Sequence, residues 1–131
     1  MNEYLQEARA FFTGDRFATE ATGCVIEEVG EKYACCSLTL DSKHRNAVGQ
    51  VMGGVALTLA DFAFAVAANF RQQLTVSVSG TINHLGPVKG ERLIAKTRLI
   101  KDGKRNCFYE VDVTDDLGTA VAVVMITGAH L

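Results

Sequence analysis

Asp61 is the one charged side chain in the run Val51 to Phe70, which reads VMGGVALTLADFAFAVAANF. The only other polar side chains there are Thr58 and Asn69, and there is no proline. A run this long, rich in Ala, Leu, Val and Phe, exceeds an ordinary strand and is predicted to be a helix. A helix apolar all round is buried or crosses a membrane. In either setting an ionised carboxylate must be paired, hydrogen-bonded or shifted up in pKa. Such carboxylates often mark functional sites. The bland reading is an aspartate that caps a neighbouring loop. A membrane span is opposed by strand-like alternation downstream and by the lack of basic flanking clusters.

Gly53 and Gly54 stand at the predicted start of the same helix. Helix N-termini present unpaired N–H groups and positive partial charge. Glycine lets a ligand approach the backbone closely. Together these suit polarising a carbonyl or binding an anion. The alternative is that the glycines only permit packing at a crowded turn. Asp61 follows Gly53 by eight residues, which is about 12 Å along a helix axis and about 80° around it. Its side chain leans back by only a few Å. One carbonyl is therefore hard to share between both residues of a single chain. A second copy with its helix antiparallel would bring its Asp61 towards this Gly53. If both serve one reaction, the site is expected between subunits.

The elements that must position these residues follow from patterning. The chain has 131 residues, enough for a single domain over 1–131. Asn2 to about Thr13 reads as a short amphipathic helix, with Gly14 as its stop. Ala21 to Val29 and Lys32 to Leu40 read as strands joined across Gly30-Glu31. Asp41 to Gln50 is a polar loop, and the long helix follows. Leu74 to Leu85 alternates, with Thr75, Ser77, Ser79, Thr81 and Asn83 on one face and Val76, Val78 and Ile82 on the other. Gly86 to Gly90 makes a turn, Arg92 to Ile100 a strand, and Asp102-Gly103 a hairpin signal. Asn106 to Val113 and Thr119 to Ala129 complete the strands. The expected class is α+β, an antiparallel sheet of about six strands curled around one long buried helix, plus a short N-terminal helix. The polar row from Thr75 to Asn83 is expected to look outward, and free sheet edges invite pairing between two copies.

Composition removes several function classes. The formal net charge is −2, which leaves no nucleic-acid footprint. The N-terminus MNEYLQEARAFFTGDRF is mixed in charge and is not a secretory signal. Cys24, Cys35, Cys36 and Cys107 form no CxxC pair and are read as reduced residues of a cytoplasmic protein. His44, His84 and His130 lie far apart with no ligand spacing, so no metal site is expected.

With these residues on the page, the run from Asn46 through Gly49, Met52, Gly53 and Gly54 to Asp61 resembles the signature of hotdog-fold acyl-CoA thioesterases, most closely the PaaI-like group of phenylacetate degradation. Thr81 to Gly90, TINHLGPVKG, is similar to that family's strand and turn after the helix. The resemblance implies a hotdog fold and hydrolysis of a small acyl- or aryl-CoA, with coenzyme A as part of the substrate and no cofactor. It implies that the Gly53 N–H and the Asn46 side chain polarise the thioester carbonyl. Asp61 of the opposing subunit would then activate a water or attack directly. Ser77 is similar to a serine that assists the nucleophile in relatives, and Ser79 lies on the same expected face. Met52 and Gly54 flank the carbonyl site. Lys89, Lys104 and Arg105 lie in turns where cations could meet the phosphates of coenzyme A, although simple solvated charge explains them as well. The implied assembly is a homodimer, with a dimer of dimers left open, and no nucleic-acid or membrane partner.

Two positions depart from the family pattern. Met52 stands where the family has His, and a thioether cannot donate a hydrogen bond. His84 replaces a common aromatic, and Gly86 stands where Arg is frequent. His84 could compensate for Met52 or could simply be packed. Two other functions compete: a non-catalytic acyl-CoA-binding hotdog module, and a hotdog hydratase. The first gains nothing obvious from Asp61. The second needs a His near the catalytic helix, and none lies between Asn46 and His84.

Overall fold

A computed structural model of the chain describes residues 2–131. Helix α1 spans Asn2–Phe12, followed by a π-helical turn over Phe17–Thr22. Strands β1 (Val25–Gly30) and β2 (Tyr33–Thr39) lead to a 3-10 turn at Ser42–His44 and then to helix α2, Gly53–Asn69. Strands β3 (Thr75–His84), β4 (Arg92–Asp102), β5 (Asn106–Asp115) and β6 (Ala120–His130) complete the chain. The strands form one antiparallel sheet in the order β1-β2-β4-β5-β6-β3. Helix α2 packs against all six of them. The expected sheet wrapped on a long helix is present. Among the described residues, no helix is long and apolar enough to cross a membrane.

Burial explains why α2 takes its place. Leu59, Ala60, Ala63, Phe64, Val66 and Ala67 are buried along one side of it. The Phe64 ring meets Tyr109 of β5 edge-on at 5.5 Å. A fully buried side chain of this size stabilises by about 2–3 kcal/mol. Helix α1 adds a smaller layer through Ala8 and Phe12, and the Phe12 ring meets Phe62 of α2 at 6.2 Å.

The structure corrects four local expectations. The strand expected from Ala21 begins only at Val25, because Phe17–Thr22 closes as a helical turn ended by Gly23 at φ 90°. The turn between β3 and β4 is no hairpin: β3 pairs with β6 at the far edge of the sheet. Helix α2 is not buried all round, since Gly53, Gly54, Leu57 and Asp61 form an exposed strip at helical spacing. The fourth correction concerns β3. Its register shifts between Ser77 and Ser79, which leaves Val78 as a bulged residue. Before the bulge Thr75 and Ser77 sit opposite His130 and Gly128; beyond it Gly80, Ile82 and His84 sit opposite Ile126, Val124 and Ala122. Ile126, Val124 and Ala122 are buried, so His84 lies on the helix side of the sheet. Val76 and Val78 are exposed, at 40% and 58%, as are Ser77, Ser79, Thr81, Asn83 and His84. The single polar face expected along β3 does not exist.

Candidate active site

The N-terminus of α2 is held by three anchors. Arg45 and Val51 form an isolated antiparallel bridge, and the Met52 N–H donates to the His44 carbonyl at 3.0 Å. His44 is itself fixed: its Nδ1 accepts from the Asp41 N–H at 3.0 Å, and its Nε2 faces the Thr22 carbonyl at 2.7 Å. Those partners assign the neutral tautomer that carries its proton on Nε2. Asn46 closes the intervening loop, and its Oδ1 accepts from the N–H groups of Val48 and Gln50 at 3.1 Å each. That leaves the Asn46 amide NH2 as its outward end.

Met52 precedes the helix in an extended conformation and supplies no side-chain cap. Gly53 and Gly54 therefore present N–H groups that the helix cannot satisfy. Gly53 also has no room for a side chain. A Cβ there would meet His84 Cε1 at 2.5 Å and Nε2 at 2.8 Å. Bringing His84 onto the helix side of β3 lays its ring on the first residue of α2.

Further along the exposed strip, Asp61 opens into a cavity of about 670 Å³. Leu57, Phe62, Ala65 and Ile126 make its apolar wall, and Ser77 and Ser79 of β3 its polar one. A smaller recess of about 360 Å³, lined by Met52 and Gly54, shares Phe17 and Thr58 with it. The two make one groove along α2, within the size range of small-ligand sites. Asp61 is accessible from this groove, yet protein surrounds enough of it that burial pushes its carboxyl up. The charge of Asp15 pushes it further in the same direction. A carboxylate poised in this way is suited to accept a proton.

The structure brings Asp61, Ser77 and Ser79 into one cavity and places Asn46, Met52, Gly53, Gly54 and His84 around the start of α2. It does not gather the cations. Lys89 is exposed on the β3–β4 connection, at the His84 end of the sheet. Lys104 and Arg105 lie at the opposite end: the Arg105 carbonyl accepts from His130, which pairs with Thr75, and Thr75 bonds Asn69 at the far end of α2. A helix of 17 residues separates the ends of α2 by about 24 Å. Lys104 and Arg105 thus lie far from Gly53 of their own chain, at the other end of α2.

Sequence reasoning missed Asp15 and Phe17, which line the main cavity from the π-helical turn. Such turns recur at functional sites. The available signal was a large apolar residue, Phe17, directly after a charged pair, and Phe17 is indeed 70% exposed in the single chain. Among the described residues, Asp102, Cys107 and His130 could offer an ion three atoms within 4.8 Å of one another. Those donors are already engaged. Asp102 pairs with Lys32 and His130 at 2.7 Å each, and burial pushes the Cys107 thiol up. No metal role is assigned to them.

Comparison with known proteins agrees with this geometry. The thioesterase superfamily model matches residues 48–122, which include the α2 terminus, Asp61 and all of β3 to β5. The acyl-coenzyme A thioesterase PaaI of Escherichia coli is 29% identical over 119 residues, 90% of this chain and 84% of that protein. Its structure, from the phenylacetic acid degradation operon, superposes with a TM-score of 0.89 at 25% identity, covering 99% of this chain and 94% of that one. Human acyl-coenzyme A thioesterase 13 is 32% identical over 98 residues, 72% of this chain and 68% of that protein. A putative esterase of Archaeoglobus fulgidus is 28% identical over 99 residues, 75% of this chain, and the match spans 64% of that protein's length. A family match that covers the helix terminus, the helical carboxylate and most of the sheet, on a fold shared end to end with a PaaI structure, settles the kinship: the chain belongs to the thioesterase superfamily and has its hotdog fold.

Proposed function

We propose that this protein hydrolyses the thioester bond of a small acyl- or aryl-CoA. The thioester carbonyl accepts from the Gly53 N–H and the Asn46 amide. Asp61 takes a proton from a water as the water oxygen attacks the carbonyl carbon. Collapse of the tetrahedral intermediate breaks the C–S bond, and the coenzyme A sulfur leaves and takes up a proton. The products are a carboxylic acid and free coenzyme A thiol, and no cofactor is required. Ser77 and Ser79 hydrogen-bond the water or the acyl chain from the opposite wall. Lys89, exposed on the β3–β4 connection, offers a cation to the coenzyme A phosphates, which the pantetheine arm holds away from the carbonyl at Gly53.

The observation that carries this reading is the exposed strip of α2. An uncapped glycine terminus and a carboxylate of raised pKa face one groove on one helix. Their separation within a chain argues for a homodimer, with Asp61 of one subunit serving Gly53 of the other. Strand β3 supports that assembly. It is an edge strand of ten residues, and its unpaired backbone groups, with exposed Val76 and Val78 among them, invite pairing with a second copy. The four cysteines are free and buried, in keeping with a cytoplasmic setting.

The test is free-thiol release from a panel of acyl- and aryl-CoAs, followed by subunit mixing. Neither Asp61→Asn nor Asn46→Ala chains should turn over well alone. Mixed heterodimers should regain activity, since one of their two sites is intact. Absence of thiol release from the whole panel would leave acyl-CoA binding as the function. Absence of rescue after confirmed subunit exchange would place both residues in one subunit's site.

A further inference from the structure

The geometry points to His84 as a catalytic residue, an imidazole donor to the substrate carbonyl held at the Gly53 N–H. This rests on the hydrolase reading above. Three observations carry it. The first is contact: the ring edge with Cε1 and Nε2 lies where a Gly53 side chain would be, 2.5 and 2.8 Å from that Cβ position. A helical Cβ points back towards the N-terminus, the side from which a carbonyl must approach the Gly53 N–H.

The second is the fold's means of putting the ring there. The Val78 bulge inverts the alternation of β3, so that His84 shares the helix side with Gly80 and Ile82. Without that extra residue the same strand would turn His84 away from α2. Bulges commonly re-aim a side chain beside an active site.

The third is hydrogen-bond accounting. The ring nitrogens of His44 bond Asp41 and Thr22, and those of His130 bond Thr75 and Asp102. Among the described residues, neither ring nitrogen of His84 has a protein partner. Met52, on the other side of the glycine, is exposed and has only a thioether to offer. The carbonyl site thus has one free side-chain donor on β3 and none on residue 52. As charge builds on the carbonyl oxygen, the His84 N–H and the Gly53 N–H share it, and the proton on the imidazole need not leave.

Two variants and one spectroscopic measurement test this. His84→Phe keeps a ring on Gly53 but has no donor. It should melt like the wild type, hold KM within about threefold, and lose about 10²-fold in kcat, the usual cost of one oxyanion donor. His84→Gly opens a space over Gly53, and added imidazole should restore part of its turnover while leaving His84→Phe unchanged. Full kcat in His84→Phe overturns the proposal. So does a loss in His84→Phe accompanied by a lowered melting temperature and no imidazole rescue of His84→Gly, since that pattern is structural. In the wild type, the ring ¹⁵N signal of His84 should shift on binding acetonyl-CoA, a ketone analogue, and not on binding S-propyl-CoA, which lacks the carbonyl. An equal response to both overturns the proposal. If the wild type hydrolyses no thioester, the hydrolase reading falls, and the ring shift still decides whether His84 meets the carbonyl.

Discussion

Asp15 and Asp61 face the same cavity, and the charge of one raises the pKa of the other. Burial is the larger cause at Asp61, and it is also what pushes Asp15 up. A general base works only when deprotonated, so turnover should rise with pH through the raised Asp61 pKa. Asp15→Asn removes the like charge and keeps the shape. The acidic limb of the kcat profile should move to lower pH, with the plateau at higher pH nearly unchanged. A limb that stays in place would mean that the two carboxylates do not communicate in the assembled enzyme.

Asp61→Asn should keep the fold and lower turnover by at least tenfold, because a positioned base contributes about 10² to 10⁴ in rate. It should also not destabilise. An aspartate whose folded pKa lies above its unfolded value, about 3.9, is costly to the folded state once it is ionised. That cost is present at neutral pH and disappears as pH falls through the folded pKa towards the unfolded one. The amide never ionises. The variant should therefore melt at or above the wild type at pH 7, and the gap should close towards pH 4. Thermal melts across that range, beside steady-state hydrolysis, check both halves.

How far the sequence reveals this site depends on which residues act through local pattern. The α2 run, its glycine start and Asp61 are legible because length, apolarity and one carboxylate are local facts. The six strands are legible from alternation and turns. The order of β3 in the sheet is not, because the Gly86 to Gly90 segment has the composition of a hairpin and serves as a crossover. The Val78 bulge was hidden because Val fits either face of a strand. Gly80 was its one signal, since an isolated glycine inside a strand pattern suggests a bulge. That single residue decides whether His84 reads as outward packing or as a group on Gly53. Asp15 and Phe17 were out of reach because their role depends on a π-helical turn folding back against α2.

Asp115 holds the frame behind the His84 end of the sheet. Its side chain is 2% exposed and accepts four backbone N–H bonds: Lys89 and Gly90 at 2.9 Å, Leu117 at 3.0 Å and Thr119 at 2.8 Å. Burial alone would push its carboxyl up, and the donors from Lys89, Thr119 and Gly90 together outweigh it and hold it well below the usual range. The neighbouring Asp116 needs a glycine at 90, since a Cβ there would sit 2.0 Å from Asp116 Oδ1 and 3.4 Å from the Asp115 Cβ. Asp115→Ala leaves buried donors without partners and should cost on the order of 3 kcal/mol, or roughly 10 °C in melting temperature. The depressed pKa stabilises above the unfolded value and that contribution fades as pH falls towards the folded one. The difference between wild type and Asp115→Ala should accordingly narrow in acid. Chemical denaturation at pH 7 and pH 3 would show it; a constant gap would mean that packing, and not the carboxylate, is what the substitution removes.

Gly53→Ala separates the role of the helix N–H from that of the ring lying on it. The new methyl leaves the N–H in place, and alanine is a better helix former than glycine. It cannot coexist with His84 at 2.5 Å, and the exposed ring is the group free to move. The variant should melt within a few degrees of the wild type and lose turnover to about the level of His84→Phe. In a His84→Gly background the same alanine should cost little further, because no ring remains to be displaced. Two substitutions that share one cause are non-additive in this way. A full and equal penalty for Gly53→Ala in both backgrounds would show that the methyl blocks the carbonyl itself, and that the glycine serves the substrate directly rather than making room for His84.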